Sequence, residues 1–552
     1  IEKRTFIDMR FLNRLFCLIC VAFACGSCVE SVTLSYEEME AIALEEWIKI
    51  HRPELINNYQ PNGGYYVEIL DEGVADSVPV RYHNAWLWFD VTCRDLAGNV
   101  VLTRNSELAR MQDSYTDYTH YVPYFLFCGE ENSSSLPEGT YLSMRNKLNI
   151  GGKEYSARYG TKMRLYLPSS VAAGDDGLSG DGGYEGQYKL DANRPMIADI
   201  TVWGHVTNPV EYEDKWVRAF AEANGGLAPI PENKEEAEEQ SRLRRSYMRP
   251  MITRGDDSEE STEKEEVVYD NQWHMPVDSI AGLYVNYLYT PKQQLEYNCL
   301  RQDTLMYAGQ TEYKIGKIYG TKSLAQINQE IDKVLLKKFG EGLHPADAEP
   351  ADSVSIADVW YVARLLDGFV IDTNIPDIKK IVYGNDYEES TTEEATPIEF
   401  SLNEDDTSDS SYVDAWNYAI PHLKLGAWNA ILTVSSNAYG ATGVTGSSSS
   451  SSGSSYYDYY NYYNYYNSYY GNSYYNNYYN GYYGGMGGMM GGYGGYGGYY
   501  NNYYDSYYYN NLYNNSYGMS EDEESGPTIT TEVLPYTPLI WQVYVEPRDK
   551  SE

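Results

Sequence analysis

Residues 447–520 form a run of Tyr, Asn, Gly, Ser and Met that holds nearly half of the chain's 60 tyrosines and almost no aliphatic side chains. Doublets such as Tyr456-Tyr457, Tyr459-Tyr460 and Tyr462-Tyr463 alternate with Asn and Gly. A segment without branched aliphatic residues cannot bury enough apolar surface to offset the entropy of ordering. The tract is therefore expected to be disordered, or a fluctuating β-prone extension able to stack its rings or present them to sugars or other chains. Strand-like patterns stand on both sides of it, so any fold at this end of the chain has to close across it.

At 552 residues the chain exceeds one core, and two or three domains with linkers are expected. A formal charge of -39 argues against a nucleic-acid partner, because phosphate binding needs Lys and Arg gathered on one surface. The acid is spread over loops and one linker, a pattern of solvation.

The N-terminal residues read as a leader. Met9 is the expected start, followed by a short basic stretch to Arg14 and an apolar stretch over residues 15–24, too short to span a bilayer. Ala24-Cys25-Gly26-Ser27-Cys28 then resembles a lipoprotein signal, with Cys28 favoured over Cys25 as the lipidated residue and an ordinary secretory signal as the alternative. No later apolar run reaches transmembrane length, so the lipid would be the only membrane attachment. Outside the leader only Cys93, Cys128 and Cys299 remain, too few for a disulfide framework, although a Cys93–Cys128 bridge is open.

Residues 35–50 read as a helix capped by Ser35 with Glu38 three positions on, and with Met39, Ile42, Ala43, Trp47 and Ile50 at helical spacing. From residue 63 to about 207 the pattern changes to short β runs, clearest at 65–70, 85–91, 163–167 and 196–203. Residues 232–266 carry dense charge and read as a solvated spacer. A strand at 283–289 and a helix at 323–339 follow. The organisation expected is a signal peptide at 1–28, a helical segment at 29–62, a first domain at 63–215, an acidic linker at 216–275 and a second domain at 276–552 with its insertion at about 444–527.

The second domain carries a series of motifs. Trp360-Tyr361-Val362-Ala363-Arg364-Leu365-Leu366-Asp367-Gly368-Phe369-Val370-Ile371-Asp372 is a strand, a tight turn at Asp-Gly and a second strand. Pro397-Ile398-Glu399-Phe400 alternates as a strand, and Val413-Asp414-Ala415-Trp416 opens a short helix. Ala430-Ile431-Leu432-Thr433-Val434 precedes Asn437-Ala438-Tyr439-Gly440-Ala441-Thr442-Gly443, and Val533-Leu534-Pro535 leads, beyond the tract, into Leu539-Ile540-Trp541-Gln542-Val543. This order resembles that of the FK506-binding (FKBP-type) peptidyl-prolyl isomerases, with the insertion in an exposed loop before the closing strand. The resemblance implies an aromatic cup with Trp416 as its floor, Tyr361, Tyr439 and Trp541 as walls and Asp372 as its polar group. Ile371 and Ile398 stand where Phe is usual, Tyr412-Val413 replaces a Val-Ile pair, and Val533 completes the apolar wall. Some aromatic area would thus be lost.

The first domain resembles the same family more loosely, through residues 63–70, 89–103, 159–168 and 195–200. Its Tyr site reads as Val91, its Asp site as Thr103, and Ala172-Ala173-Gly174 replaces Ala-Tyr-Gly, so no catalysis is expected there. The fold class implied is α+β: two tandem FKBP-like domains, each an antiparallel half-barrel sheet wrapped on a short helix.

The resemblance implies no cofactor. Seven histidines are scattered without metal-ligand spacing, and the acidic loop after Asp175 fails the calcium-loop pattern. Two functions follow. One is a lipid-anchored isomerase or folding helper at the outer membrane, acting on proline-containing polypeptides. The other is a non-catalytic lipoprotein that holds a protein partner, in an outer-membrane complex, or a glycan, through its FKBP-like domains and tyrosine tract. Tandem lipoproteins of this kind resemble those of the Bacteroidota, and the membrane leaflet is left open.

Overall fold

The computed structural model describes residues 34–75, 77, 79–80, 85–116, 118–129, 136–178, 188–228, 271–276, 280–291, 318–319, 322–384, 396–402, 412–444, 447–449 and 528–548. The leader with Cys25 and Cys28, Cys299, linker residues 229–270 and tract residues 450–527 lie outside the described residues.

The chain divides after Ile56 into two compact units. The first holds helix α1 (Tyr36–His51). Its capping box forms as expected: Glu38 N donates to Ser35 Oγ at 3.2 Å, and Ser35 N to Glu38 Oε2 at 2.9 Å. The expected apolar face is corrected. Glu40, Leu44 and Ile48 are buried, whereas Met39 and Ile42 are each 50% exposed. Apolar residues occupy most sides of this helix, so their spacing does not define which side is covered.

The second unit opens with β1 (Tyr59–Gln60), β2 (Tyr65–Glu72), β3 (Ala85–Arg94), β4 (Val100–Thr103), α2 (Ser106–Met111), β5 (Tyr124–Cys128), α3 (Glu138–Arg145), β6 (Leu148–Ile150), β7 (Lys153–Tyr155), β8 (Thr161–Leu167) and β9 (Met196–Val206). Helix α4 (Pro209–Ala223) follows, then β10 (Leu283–Asn286), β11 (Ile318–Tyr319), β12 (Lys322–Ser323), α5 (Leu324–Phe339), β13 (Ile356–Leu365), β14 (Val370–Thr373), α6 (Pro376–Tyr383), β15 (Ile398–Ser401), α7 (Asp414–Ala419), β16 (Trp428–Thr433), β17 (Ser447–Ser449), β18 (Thr528–Thr530) and β19 (Leu539–Pro547).

Two antiparallel sheets organise these elements. The first runs β1-β2-β8-β9-β3-β4, with β5 also on β3; the second runs β10-β16-β19-β13-β14, with β15 also on β13. From β2 onward the two orders agree strand for strand, and each sheet has a short helix, α3 or α7, at the same place in the sequence of elements. The tandem α+β architecture is therefore present. The register of β13 on β19 is continuous from Ala357↔Pro547 to Leu365↔Leu539.

The two sheets differ in how they are covered. Along β9 buried and half-buried residues alternate throughout, the pattern of a sheet with one dry and one wetter face. In β19 the first seven residues are all buried. Helix α5 explains the difference. Its Ile327, Ile331 and Leu335 are buried at four-residue spacing, and Phe339 meets the rings of Trp360, Trp428 and Tyr544 at centroid distances of 5.7, 5.6 and 4.6 Å.

Helix α4 moves the expected domain boundary. Asn208 caps it by accepting from Glu211 N at 3.3 Å, and Trp216, Val217, Phe220 and Ala221 join the core built around the second sheet. Trp273 belongs to that core and pairs with Leu227, so both ends of the expected linker are packed structure. Cys93 and Cys128 are buried and unbridged, and burial pushes their thiols up to about 12 and about 11. Among the described residues no helix is long and apolar enough to cross a membrane.

Ile331→Ala would leave a hole between α5 and the sheet. A loss of about 2–5 kcal/mol is expected for such a truncation, read as a lower urea midpoint for the second domain. A change under about 1 kcal/mol would mean that α5 does not seal this face.

Candidate functional site: a ring cluster on the second sheet

Register gathers the predicted site residues. Ala363 stands opposite Trp541 on one side and opposite Asp372 on the other, and Tyr361 lies two residues before it. Directly opposed residues share a face, and alternate residues return to it, so Tyr361, Asp372 and Trp541 line one side of the sheet. A bulge between Ala363 and Arg364 leaves Ile371 without an opposite residue, next to Asp372. The turn before it closes at Gly368, with φ 86°, and Asp367 Oδ1 accepts from Phe369 N at 3.2 Å.

Helix α7 brings Trp416 onto Tyr361, edge to face, at 4.9 Å and 81°. Tyr361 Oη donates to Asp372 Oδ2 at 2.5 Å, and Thr373 N donates to Asp372 Oδ1 at 2.8 Å. Burial raises the Asp372 carboxyl above the usual carboxylate range; the Tyr361 bond, the Lys379 charge and the Thr373 amide oppose that rise. Burial, with a smaller effect from Asp372, also raises the Tyr439 phenol. The indole Nε1 of Trp416 is buried and has no hydrogen-bond partner among the described residues.

Tyr439 sits on a loop held by its own backbone. Gly440 N donates to Ser435 O at 2.7 Å, and Gly443 N to Tyr439 O at 3.1 Å. Gly443 has φ 67°, and a Cβ there would fall 2.1 Å from Val533 O, so the position excludes every other residue. Val444 and Val533 then bond each other through both backbone groups, at 2.7 and 2.9 Å, and β17 pairs with β18 just beyond.

The structure thus brings Tyr361, Asp372 and Trp416 into contact. It places Tyr439, Trp541, Ile371 and Val533 in the same core, with Ile398 and Val413 partly buried against it. Trp541 is 2% exposed, Trp416 4%, and Tyr361 and Tyr439 7% each. Two further rings join the cluster: Phe400, which the sequence reading left out, and Tyr412, which it named only as part of the Tyr412-Val413 pair. Phe400, two positions from Ile398 and so on its face, meets Tyr412 at 5.3 Å, and Tyr412 stacks on Trp416 at 5.8 Å. The period-two alternation of Ile398-Glu399-Phe400 carried that signal.

The first sheet reproduces the framework without the side chains. Gly174 N donates to Ser169 O at 2.9 Å, Gly177 N to Ala173 O at 3.0 Å, and Leu178 bridges Leu190. These match the bonds of Gly440, Gly443 and the Val444–Val533 pair, so Ala173 occupies the Tyr439 position. Register puts Val91 at the Tyr361 position and Ala198 at that of Trp541. Thr140, whose N donates to Pro137 O at 2.9 Å, corresponds to Trp416, whose N donates to Val413 O at 2.9 Å. One assignment is corrected: Leu102, opposite Cys93, stands at the Asp372 position, and Thr103 matches Thr373. Val91 to Leu102 spans the same eleven positions as Tyr361 to Asp372, each across one bulge, so equal spacing already points to Leu102.

Two sheets of one strand order, the second carrying these rings and the carboxyl, define a tandem α+β protein. No protein-family model and no curated protein matches the sequence. Solved structures similar to the chain include wheat FKBP73, with three FKBP domains (10% identity, 88% of this chain and 95% of that one, TM-score 0.18). FkpA from Escherichia coli is another (11% identity, 37% and 75%, TM-score 0.20). A third is a peptidyl-prolyl cis-trans isomerase from Pseudomonas syringae pv. tomato (16% identity, 30% and 90%, TM-score 0.20). At these identities and TM-scores the neighbours carry no argument about the chain's family or activity.

Because burial raises the Asp372 carboxyl, the folded state holds this proton more tightly than the unfolded chain, whose aspartates titrate at about 3.9. The stability linked to it is complete below that value and falls as pH rises through the folded one. Asp372→Asn is therefore expected to raise the urea midpoint at pH 7, with the gain vanishing below about pH 4. A gain independent of pH would show that the carboxyl is not perturbed.

Proposed function

We propose that the second domain is a peptidyl-prolyl cis-trans isomerase acting on exported, proline-containing polypeptides. The Tyr361–Asp372 hydrogen bond set beneath the edge-to-face Trp416 is the observation that carries this reading. An X-Pro bond isomerises over a barrier of about 18–20 kcal/mol because twisting it breaks amide resonance, and unaided this takes tens of seconds or more. A dry cup that fits the twisted amide better than either planar form lowers the barrier, with no nucleophile required. Trp416 supports the proline ring; Ile371, Val533 and Trp541 wall it; Tyr439 donates to a substrate carbonyl; Asp372 holds Tyr361 in place.

The basic and apolar leader ending at Cys28 supports export and lipid anchoring at the outer membrane. Mass spectrometry of the mature N-terminus tests it: a diacylated Cys28 is expected, and an unmodified residue beyond it would point to ordinary secretion.

The low exposure of the cup's rings favours a second reading, in which the domain binds a partner or glycan without turnover. Isomerisation of an X-Pro peptide by the full chain separates the two. The parent is expected to exceed the thermal rate, with kcat/KM falling about 10²-fold in Trp416→Leu as the floor is lost. A parent indistinguishable from buffer leaves only binding.

A further inference from the structure

Three connections carry the walls of the cup, and each is fastened to a residue of the first domain or of α4. The turn between the strands of Tyr361 and Asp372 receives His120, whose Nε2 lies 2.7 Å from Asp367 Oδ2 and whose ring stacks on Phe369 at 4.6 Å. The loop of Tyr439 begins at Ser435, whose N donates to Oε2 of Glu213, on α4, at 2.8 Å. The return to Val533 passes through Glu532, both of whose carboxylate oxygens accept from Arg104 Nη2, at 2.7 and 2.9 Å. Arg104 is 2% exposed; its Nη1 donates to Val122 O at 3.3 Å, and its guanidinium lies 3.6 Å over the Tyr124 ring. Next along the return, Tyr536 meets Trp86 edge to face at 5.0 Å and donates its N to Gly440 O at 3.0 Å, tying the return to the Tyr439 loop.

Arg104, His120 and Glu213 are all buried. Burying such groups is costly unless their partners are held in good geometry, so an interface that had only to stick would be met more cheaply by apolar residues. Here the polar contacts fall on the turn, the loop and the return that bear the walls.

We propose that the first domain, with helix α4, is a brace for the site of the second. Arg104, His120 and Glu213 are positioning residues for Val533, for the Tyr361–Asp372 hairpin and for Tyr439 respectively. The positioning role rests on the isomerase reading; the bracing is a property of the fold and is tested separately.

The test uses the full chain as Arg104→Met, which keeps bulk and removes charge, and as Arg104→Lys, which keeps charge. Amide hydrogen exchange is followed at residues 436–444 and 533–537, with 539–545 of β19 as the internal reference, beside X-Pro isomerisation kinetics. Arg104→Met is expected to speed exchange in the two rim segments on the order of tenfold while β19 is unchanged. The value of kcat/KM is expected to fall about tenfold, chiefly in KM, because an apolar wall holds substrate in ground and transition states alike. Arg104→Lys restores part of both. Should Arg104→Met not fold, Glu532→Gln alters only the partly exposed partner and is read the same way. Unchanged rim exchange, or equal acceleration in β19, overturns the brace even if the parent is an active isomerase. The expected exchange pattern with an inactive parent keeps the brace and removes the isomerase.

Discussion

The pairing of β13 with β19 is the constraint on which the second domain depends. These strands meet at every position from Ala357↔Pro547 to Leu365↔Leu539, although the tyrosine tract lies between them in sequence. That pairing sets Trp541 opposite Ala363, offers β19's other edge to β16, and creates the surfaces on which α5 and the aromatic helix pack. The connection is long but inexpensive. Between the equivalent bridges there are eleven residues in the first domain and 88 in the second. Even at the entropy of a flexible chain, that eightfold difference adds only about 2 kcal/mol.

Much of this was legible because local chemistry dictates it. Asp367-Gly368 demands a tight turn, and Gly440 and Gly443 take left-handed backbone. Period-two runs such as Met196-Ile197-Ala198-Asp199-Ile200 announce a sheet with one wet face. What stayed hidden was set by partners remote in sequence. Nothing near Met39 or Leu44 says which side of α1 is covered. The unbroken burial of Leu539-Ile540-Trp541-Gln542-Val543 reflects α5, which reads on its own as an ordinary amphipathic helix. The Asp site of the first domain was legible by count, since Val91 to Leu102 equals Tyr361 to Asp372, but an apolar Leu102 gives no carboxyl signal and the hydroxyl of Thr103 lies beside it. The ion pair of Arg104 with Glu532 joins residues 428 positions apart and has no local signature.

The two domains form an internal comparison of framework against site. Both keep the same turn bonds, the same left-handed glycines and the same bulge. Side chains differ where rings and carboxyl stand in the second copy: Val91, Leu102, Thr140, Ala173 and Ala198 are small or aliphatic. The carboxyl is the informative case. Burying Asp372 works against the fold, and where no cup is kept an apolar leucine takes the position. The second domain thus buries a carboxyl where the first buries or half-buries an apolar side chain.

The tract leaves and re-enters at adjacent points, through the β17–β18 hairpin and then the Val444–Val533 pair. Tension applied along it would load these backbone bonds one after another, as a zipper is opened from its end. They would part singly and at modest force, ahead of the broad β13–β19 seam, whose bonds share a load. Under such a load the hairpin would open before the seam that holds the rings behind Val533.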